Sequence, residues 1–98
     1  MYRVLKLRGV NEPWYLDEYW QETIIWQQEC ASLATAFQLH DEQLQFLRQQ
    51  YAHMKQKYQH CEAFWDEEDQ YYCEACEDMM QVYTGLCIMD EQMEIITL

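Results

Sequence analysis

A chain of 98 residues, half of them apolar and including four Trp, eight Tyr and three Phe, has bulky surface enough for one hydrophobic core and too little length for two. A single compact domain over residues 1–98 is therefore expected, and intrinsic disorder is not. Eighteen acidic against six basic side chains give a formal net charge of -12, and from Tyr58 onward every charged side chain is an acid; a surface of that sign disfavours nucleic acid and favours a basic protein or peptide as partner.

The opening segment alternates, with Leu5 and Leu7 on one face and Tyr2 and Val4 on the other, and reads as a strand that ends at Gly9. Pro13 fixes its own φ and pushes Glu12 toward an extended conformation, so a second extended segment is expected from Trp14. Thr23-Ile24-Ile25-Trp26 concentrates β-branched and aromatic residues and suits a further short strand.

From Leu33, the residues Phe37, His40, Leu44, Leu47, Tyr51, Met54, Tyr58 and Cys61 recur at alternating spacings of four and three. This predicts one long helix with Ser32 as its N-cap. Leu39 and Phe46 lie on nearly the opposite side, where a surface helix is normally polar; single exposure or contact with a neighbouring loop is the plain reading, and a partner groove or a strip for a weak homodimer the sharper one. Ala63-Phe64-Trp65 and Gln70-Tyr71-Tyr72-Cys73 flank Asp66-Glu67-Glu68-Asp69 in the pattern of a hairpin with an acidic connection. Cys76, Met79, Met80 and Tyr83 then suggest a short helix from about Glu74 to Tyr83, closed by Gly85. Leu86 to Met89 and Met93 to Leu98 make a final hairpin. The elements add up to an α+β fold, a largely antiparallel sheet of short strands covered by one long helix and one short helix.

Cys73-Glu74-Ala75-Cys76 is the one short motif with a chemical reputation. Its acidic neighbours Glu74, Glu77 and Asp78 oppose the thiolate that redox chemistry needs. As half of a zinc site it would look to His60 and Cys61, whose adjacency makes joint coordination awkward, and a pair of structural cysteines is the simpler reading. The five cysteines lack the spacing of a secreted disulfide framework, and no apolar run approaches the roughly 20 residues needed to cross a bilayer. A cytoplasmic protein with reduced thiols and no membrane partner is expected. No Ser-His-Asp arrangement, phosphate-cradling loop, calcium loop or zinc-hydrolase motif occurs, so no catalytic residue, metal ligand or cofactor is assigned and an enzyme is not expected.

The opening Met-Tyr-Arg-Val, Glu12-Pro13-Trp14-Tyr15 with Trp20, and the block from Ala63-Phe64-Trp65 through Cys73-Glu74-Ala75-Cys76-Glu77-Asp78 to Tyr83-Thr84-Gly85 together resemble a family of short Bacillota proteins catalogued as domain of unknown function 1033. The resemblance implies a compact bacterial cytosolic protein, brings no active site, and would pass on the label of DNA-binding protein that members of the family have carried.

From the residues themselves the expected function is a noncatalytic interaction or regulatory module. It would bind a basic partner through its acidic C-terminal half, with Trp65 as anchor beside Asp66, Glu67, Glu68 and Asp69. The alternative is a nucleic-acid binder that uses Arg3, Lys6, Arg8, Arg48 and Lys55, which requires those bases to converge on one surface.

Overall fold

The computed structural model describes residues 1–97. Its elements are β1 (Tyr2–Gly9), β2 (Ile24–Cys30), α1 (Leu33–Gln50), β3 (His53–Tyr58), β4 (Cys61–Trp65), β5 (Gln70–Cys73), β6 (Asp78–Gln81) and β7 (Tyr83–Met89). Five strands form an antiparallel sheet in the order β2-β1-β7-β4-β3, and β5 and β6 form a separate two-stranded ribbon. Helix α1 leaves one edge of the sheet at β2 and returns the chain to the opposite edge at β3.

The alternation along β1 separates two cores. Val4 faces α1 and joins Cys30, Ala36, Leu47, Phe64, Leu86 and Ile88, with Tyr2, Trp26, Phe37, Leu39, Leu44 and Tyr51 packed around them. Leu5 and Leu7 face the other way and join Cys61, Cys87 and Met89 under Trp14, Trp20 and Ile24. Each fully buried large aliphatic or aromatic side chain contributes about 1.5–3 kcal/mol, so the sheet is held from both faces.

Helix α1 begins where its cap predicts. The Ser32 side chain accepts a hydrogen bond from the Thr35 N–H at 3.2 Å, and the helix runs unbroken past His40. It stops at Gln50, short of the expected end near Tyr58. Tyr51 is extended (φ -112, ψ 147), its hydroxyl meets Thr84 Oγ1 at 2.9 Å, and the next N–H, that of Ala52, donates to Asp66 Oδ1 at 2.8 Å. The residues that continue the periodicity, from His53 to Tyr58, instead pair with β4 as the sheet edge. Helix propensity in this segment yields to a ladder with β4, and Lys55 and Lys57 sit on an edge where charge discourages further pairing.

Three other expectations change. The segment from Trp14 is irregular and ends in a single 3-10 turn, Trp20–Thr23, rather than a strand. β4 does not pair with β5; it lies between β3 and β7, with Phe64 opposite Thr84 and Cys61 opposite Cys87. The short helix over Glu74–Tyr83 is absent. Glu74–Glu77 turn the chain, Tyr71 and Tyr72 pair with Met80 and Met79, and β7 starts at Tyr83. Hydrogen-bonded pairing between the two strands replaces the intrahelical bonds that so short a helix, without a packed face, could not support.

Gly85 accordingly ends no helix. It is buried in β7 beneath Pro13, and a Cβ built there would lie 2.5 Å from the proline Cβ, so only glycine admits the Asn11–Trp14 loop against the sheet. The closing hairpin is reduced to an isolated bridge between Met89 and Ile95, with the Ile96 N–H donating to the Ile88 carbonyl. Met93 and Ile95 enter one core and Ile96 the other, as their alternation requires; Leu98 lies outside the described residues. Among the described residues no helix is long and apolar enough to cross a membrane.

Candidate functional site: an acidic ribbon between two sheet strands

β4 and β7 are neighbours in the sheet, and the chain between them makes the β5–β6 ribbon. The ribbon is thus an arm inserted into the connection of two adjacent strands, and the acidic segment Asp66–Asp69 is its root. Gln81 Nε2 donates to the carbonyls of Asp66 and Asp69, both at 2.8 Å, and the Val82 N–H donates to the Asp69 carbonyl at 2.8 Å. Arg8 on β1 grips both carboxylate oxygens of Asp69 at 2.6 Å and reaches Thr84 Oγ1 at 3.0 Å. That hydrogen-bonded carboxylate raises the pKa of Arg8 above its ordinary value.

The acids expected to meet a partner are therefore not equivalent. Asp66 caps the Ala52 N–H, Asp69 is committed to Arg8, and Glu67 stands 3.3 Å from His53 Nε2. Glu68 is exposed. Trp65 is half-buried, stacked on the His53 ring at 5.4 Å and meeting Tyr83 edge-on at 5.4 Å. It belongs to the root of the arm more than to its free surface.

Beyond the root, Tyr71, Tyr72 and Met79 are exposed by half or more. They stand among Glu74, Glu77 and Asp78, which have no basic partner among the described residues. Sequence reading missed these aromatic residues as a surface because it placed Met79 and Met80 on a helix. Tyr71-Tyr72-Cys73 and Asp78-Met79-Met80 flank the four-residue turn Glu74–Glu77, which is the hairpin signal that was available.

The bases do not form one stripe. Arg3 pairs with Glu29 at 2.9 Å and approaches Met93 on one side of the sheet, whereas Lys6 lies on the helix side over Trp26 and Phe46, at 5.2 and 5.3 Å from the ring centroids. Arg8 is held by Asp69, Arg48 is in the last turn of α1, and Lys55 lies 5.8 Å from the Trp14 ring centroid. Of the proposed homodimer strip, Leu39 packs against the helix–sheet core, and Phe46 alone remains open at 60% exposure.

Two further places lie outside the arm. Between α1 and the sheet, His40 Nε2 and Glu62 Oε1 are 2.7 Å apart with both side chains 1% exposed, Gln56 donates to the second Glu62 oxygen at 3.0 Å, and His60 stacks on Phe37. Glu62 shares the parity of Phe64 on β4, which points it at the helix. On the other face, a cleft of about 240 Å³ is lined by Gly9, Glu12, Pro13, Tyr15, Asp17 and Trp20 among others. It is smaller than the roughly 300–1,000 Å³ usual for small-molecule sites.

No group of three or more metal-ligating side chains is assembled among the described residues. His60 stacks on Phe37 and Cys61 is buried opposite Cys87, while Cys73 and Cys76 are on the arm. A family model described as "Protein of unknown function (DUF1033)" matches residues 1–98, and the chain belongs to that family. Comparison with the curated proteins and with the solved structures gives no match.

Proposed function

We propose that this family member is a noncatalytic interaction module whose acidic arm binds a basic protein or peptide. The observation that carries the reading is the combination on one ribbon of exposed Tyr71, Tyr72 and Met79 with the unpaired carboxylates of Glu74, Glu77 and Asp78. Apolar contact supplies affinity, and the carboxylates supply long-range attraction and the sign of the partner. Both strands of the ribbon also have a free edge, which offers main-chain hydrogen bonds to an extended peptide.

Within this reading the acids first expected to bind divide by role. Asp66 and Asp69 hold the arm, Glu67 and Glu68 add charge at its root, and Trp65 supports the root. Titration of the isotope-labelled protein with a Lys/Arg-rich peptide tests this. Chemical-shift changes concentrated in residues 67–80 are expected, and their loss on replacing Glu74, Glu77 and Asp78 by Gln, Gln and Asn. Changes confined to the cleft around Trp20, or unaffected by the triple replacement, would overturn it.

A further inference from the structure

Five cysteines fall into three environments. Cys30 is buried alone, and burial raises its pKa. Cys61 and Cys87 are buried opposite each other in the sheet, where their mutual hydrogen bond and then burial raise the Cys87 pKa well above its ordinary value. Cys73 and Cys76 stand at the tip of the arm, the latter exposed, in a turn where the Cys76 N–H donates to Cys73 Sγ at 3.3 Å. The chain leaves this turn through Glu77 at φ 52, a left-handed conformation that few non-glycine residues adopt.

We propose that Cys73 and Cys76 form a thiol–disulfide exchange site at the tip of the arm, with Cys73 the attacking sulfur and Cys76 the resolving one. The turn places a donor that a thiolate needs, the Cys76 N–H, 3.3 Å from Cys73 Sγ, and carries the second thiol on the same residue as that donor. The pKa of Cys73 is lowered by a hydrogen bond from the Cys76 thiol, then by the N–H groups of Cys76 and Ala75, and that of Cys76 is raised correspondingly. The acidic groups facing the pair are Glu74 and Glu77 in the turn and Asp78, directly opposite Cys73 in the ladder. Of these, Asp78 acts on Cys76 and raises its pKa further, while the stabilising donors converge on Cys73. A zinc site would require two more ligands, and the described residues bring no third ligand to the pair.

The co-reactant is a low-molecular-weight disulfide such as oxidised glutathione. The Cys73 thiolate attacks one of its sulfurs, a protein–S–S–R bond forms, the small disulfide bond breaks, and one R–S⁻ leaves. Cys76 gives its proton to water and attacks the Cys73 sulfur, which closes the Cys73–Cys76 disulfide and expels the second R–S⁻. The protein dithiol is oxidised by two electrons and the small disulfide is reduced to two thiols. The proposal stands apart from the binding role of the arm.

The test is to equilibrate the native, reduced protein with glutathione buffers of increasing oxidised fraction, trap free thiols with an alkylating agent and map them by mass spectrometry. Cys73 and Cys76 should disappear together without a retained glutathione, and Cys30, Cys61 and Cys87 should stay free. Cys76→Ser should accumulate a mixed disulfide at Cys73, and Cys73→Ser should form one at Cys76 severalfold more slowly. Equal rates in the two variants, glutathione retained on the unmodified protein, or stoichiometric zinc that blocks alkylation until a chelator is added would each overturn the proposal.

Discussion

Arg8, on a central strand of the sheet, holds both carboxylate oxygens of Asp69 at 2.6 Å, and so pins the root of the β5–β6 arm to β1. The pair is partly open to solvent, which limits its contribution to global stability to about 0–1 kcal/mol. Its consequence is local. Asp69→Asn should leave the unfolding midpoint nearly unchanged while amide exchange in residues 70–82 accelerates relative to β1 and β7; protection lost equally throughout would show that the pair does not act on the arm.

The buried pair His40–Glu62 should behave differently. Removing one partner leaves the other desolvated and unpaired, so Glu62→Leu is expected to cost about 3–5 kcal/mol in denaturant unfolding. Adding His40→Leu should recover most of that loss, because well-packed apolar side chains commonly replace a buried polar pair without penalty. Additive losses in the double variant would contradict the assignment.

His60 lends the fold a pH dependence of known sign. Burial, and then the neighbouring His40, lower its pKa below 6.5, outweighing the opposing influence of Glu62 and Asp41. The unfolded chain therefore binds the proton more readily than the fold does. The contribution of His60 is fully present above about 6.5 and is lost as pH falls from there through its lowered folded value. His60→Phe should flatten the decline in stability over that interval; an unchanged decline would assign it to other groups.

Gly85 and Pro13 give a steric test. Gly85→Ala places a methyl group 2.5 Å from the proline ring, so the loop or β7 must move, at a cost of about 1–3 kcal/mol. Combining it with Pro13→Gly should restore part of the loss, measured as a coupling in a double-mutant cycle. A neutral Gly85→Ala would show that the loop is not seated on β7.

What the sequence revealed was local. The β1 alternation, the Ser32 cap and the β-branched run in β2 are decided within a few residues, and each was legible. The β3 segment was not, because Tyr51, Met54 and Tyr58 continue the helical phase of α1 and only the distant β4 makes a strand of them. The same applies to the arm: Ala63-Phe64-Trp65 and Gln70-Tyr71-Tyr72 look like partners until β7, some twenty residues further on, claims the first of them. The approach of Lys6 to the exposed Phe46 ring was not legible either, because Lys6 comes from β1, forty residues away in sequence. The acidic run was plain, but its division into anchoring and free carboxylates depends on Arg8 and on the amide of Ala52, neither of which is near it in sequence.

The proposed role of the arm is tested most directly by the association rate with a Lys/Arg-rich peptide, measured by stopped flow as a function of salt concentration. Exposed charges attract across the roughly 8 Å Debye length of physiological salt and beyond it at lower ionic strength. The rate for the unmodified protein should fall steeply as salt rises. For the variant carrying Glu74→Gln, Glu77→Gln and Asp78→Asn it should start lower and fall less, with the unfolding midpoint unchanged. Identical rates and identical salt dependence for the two proteins would contradict the assignment of the arm as the binding surface.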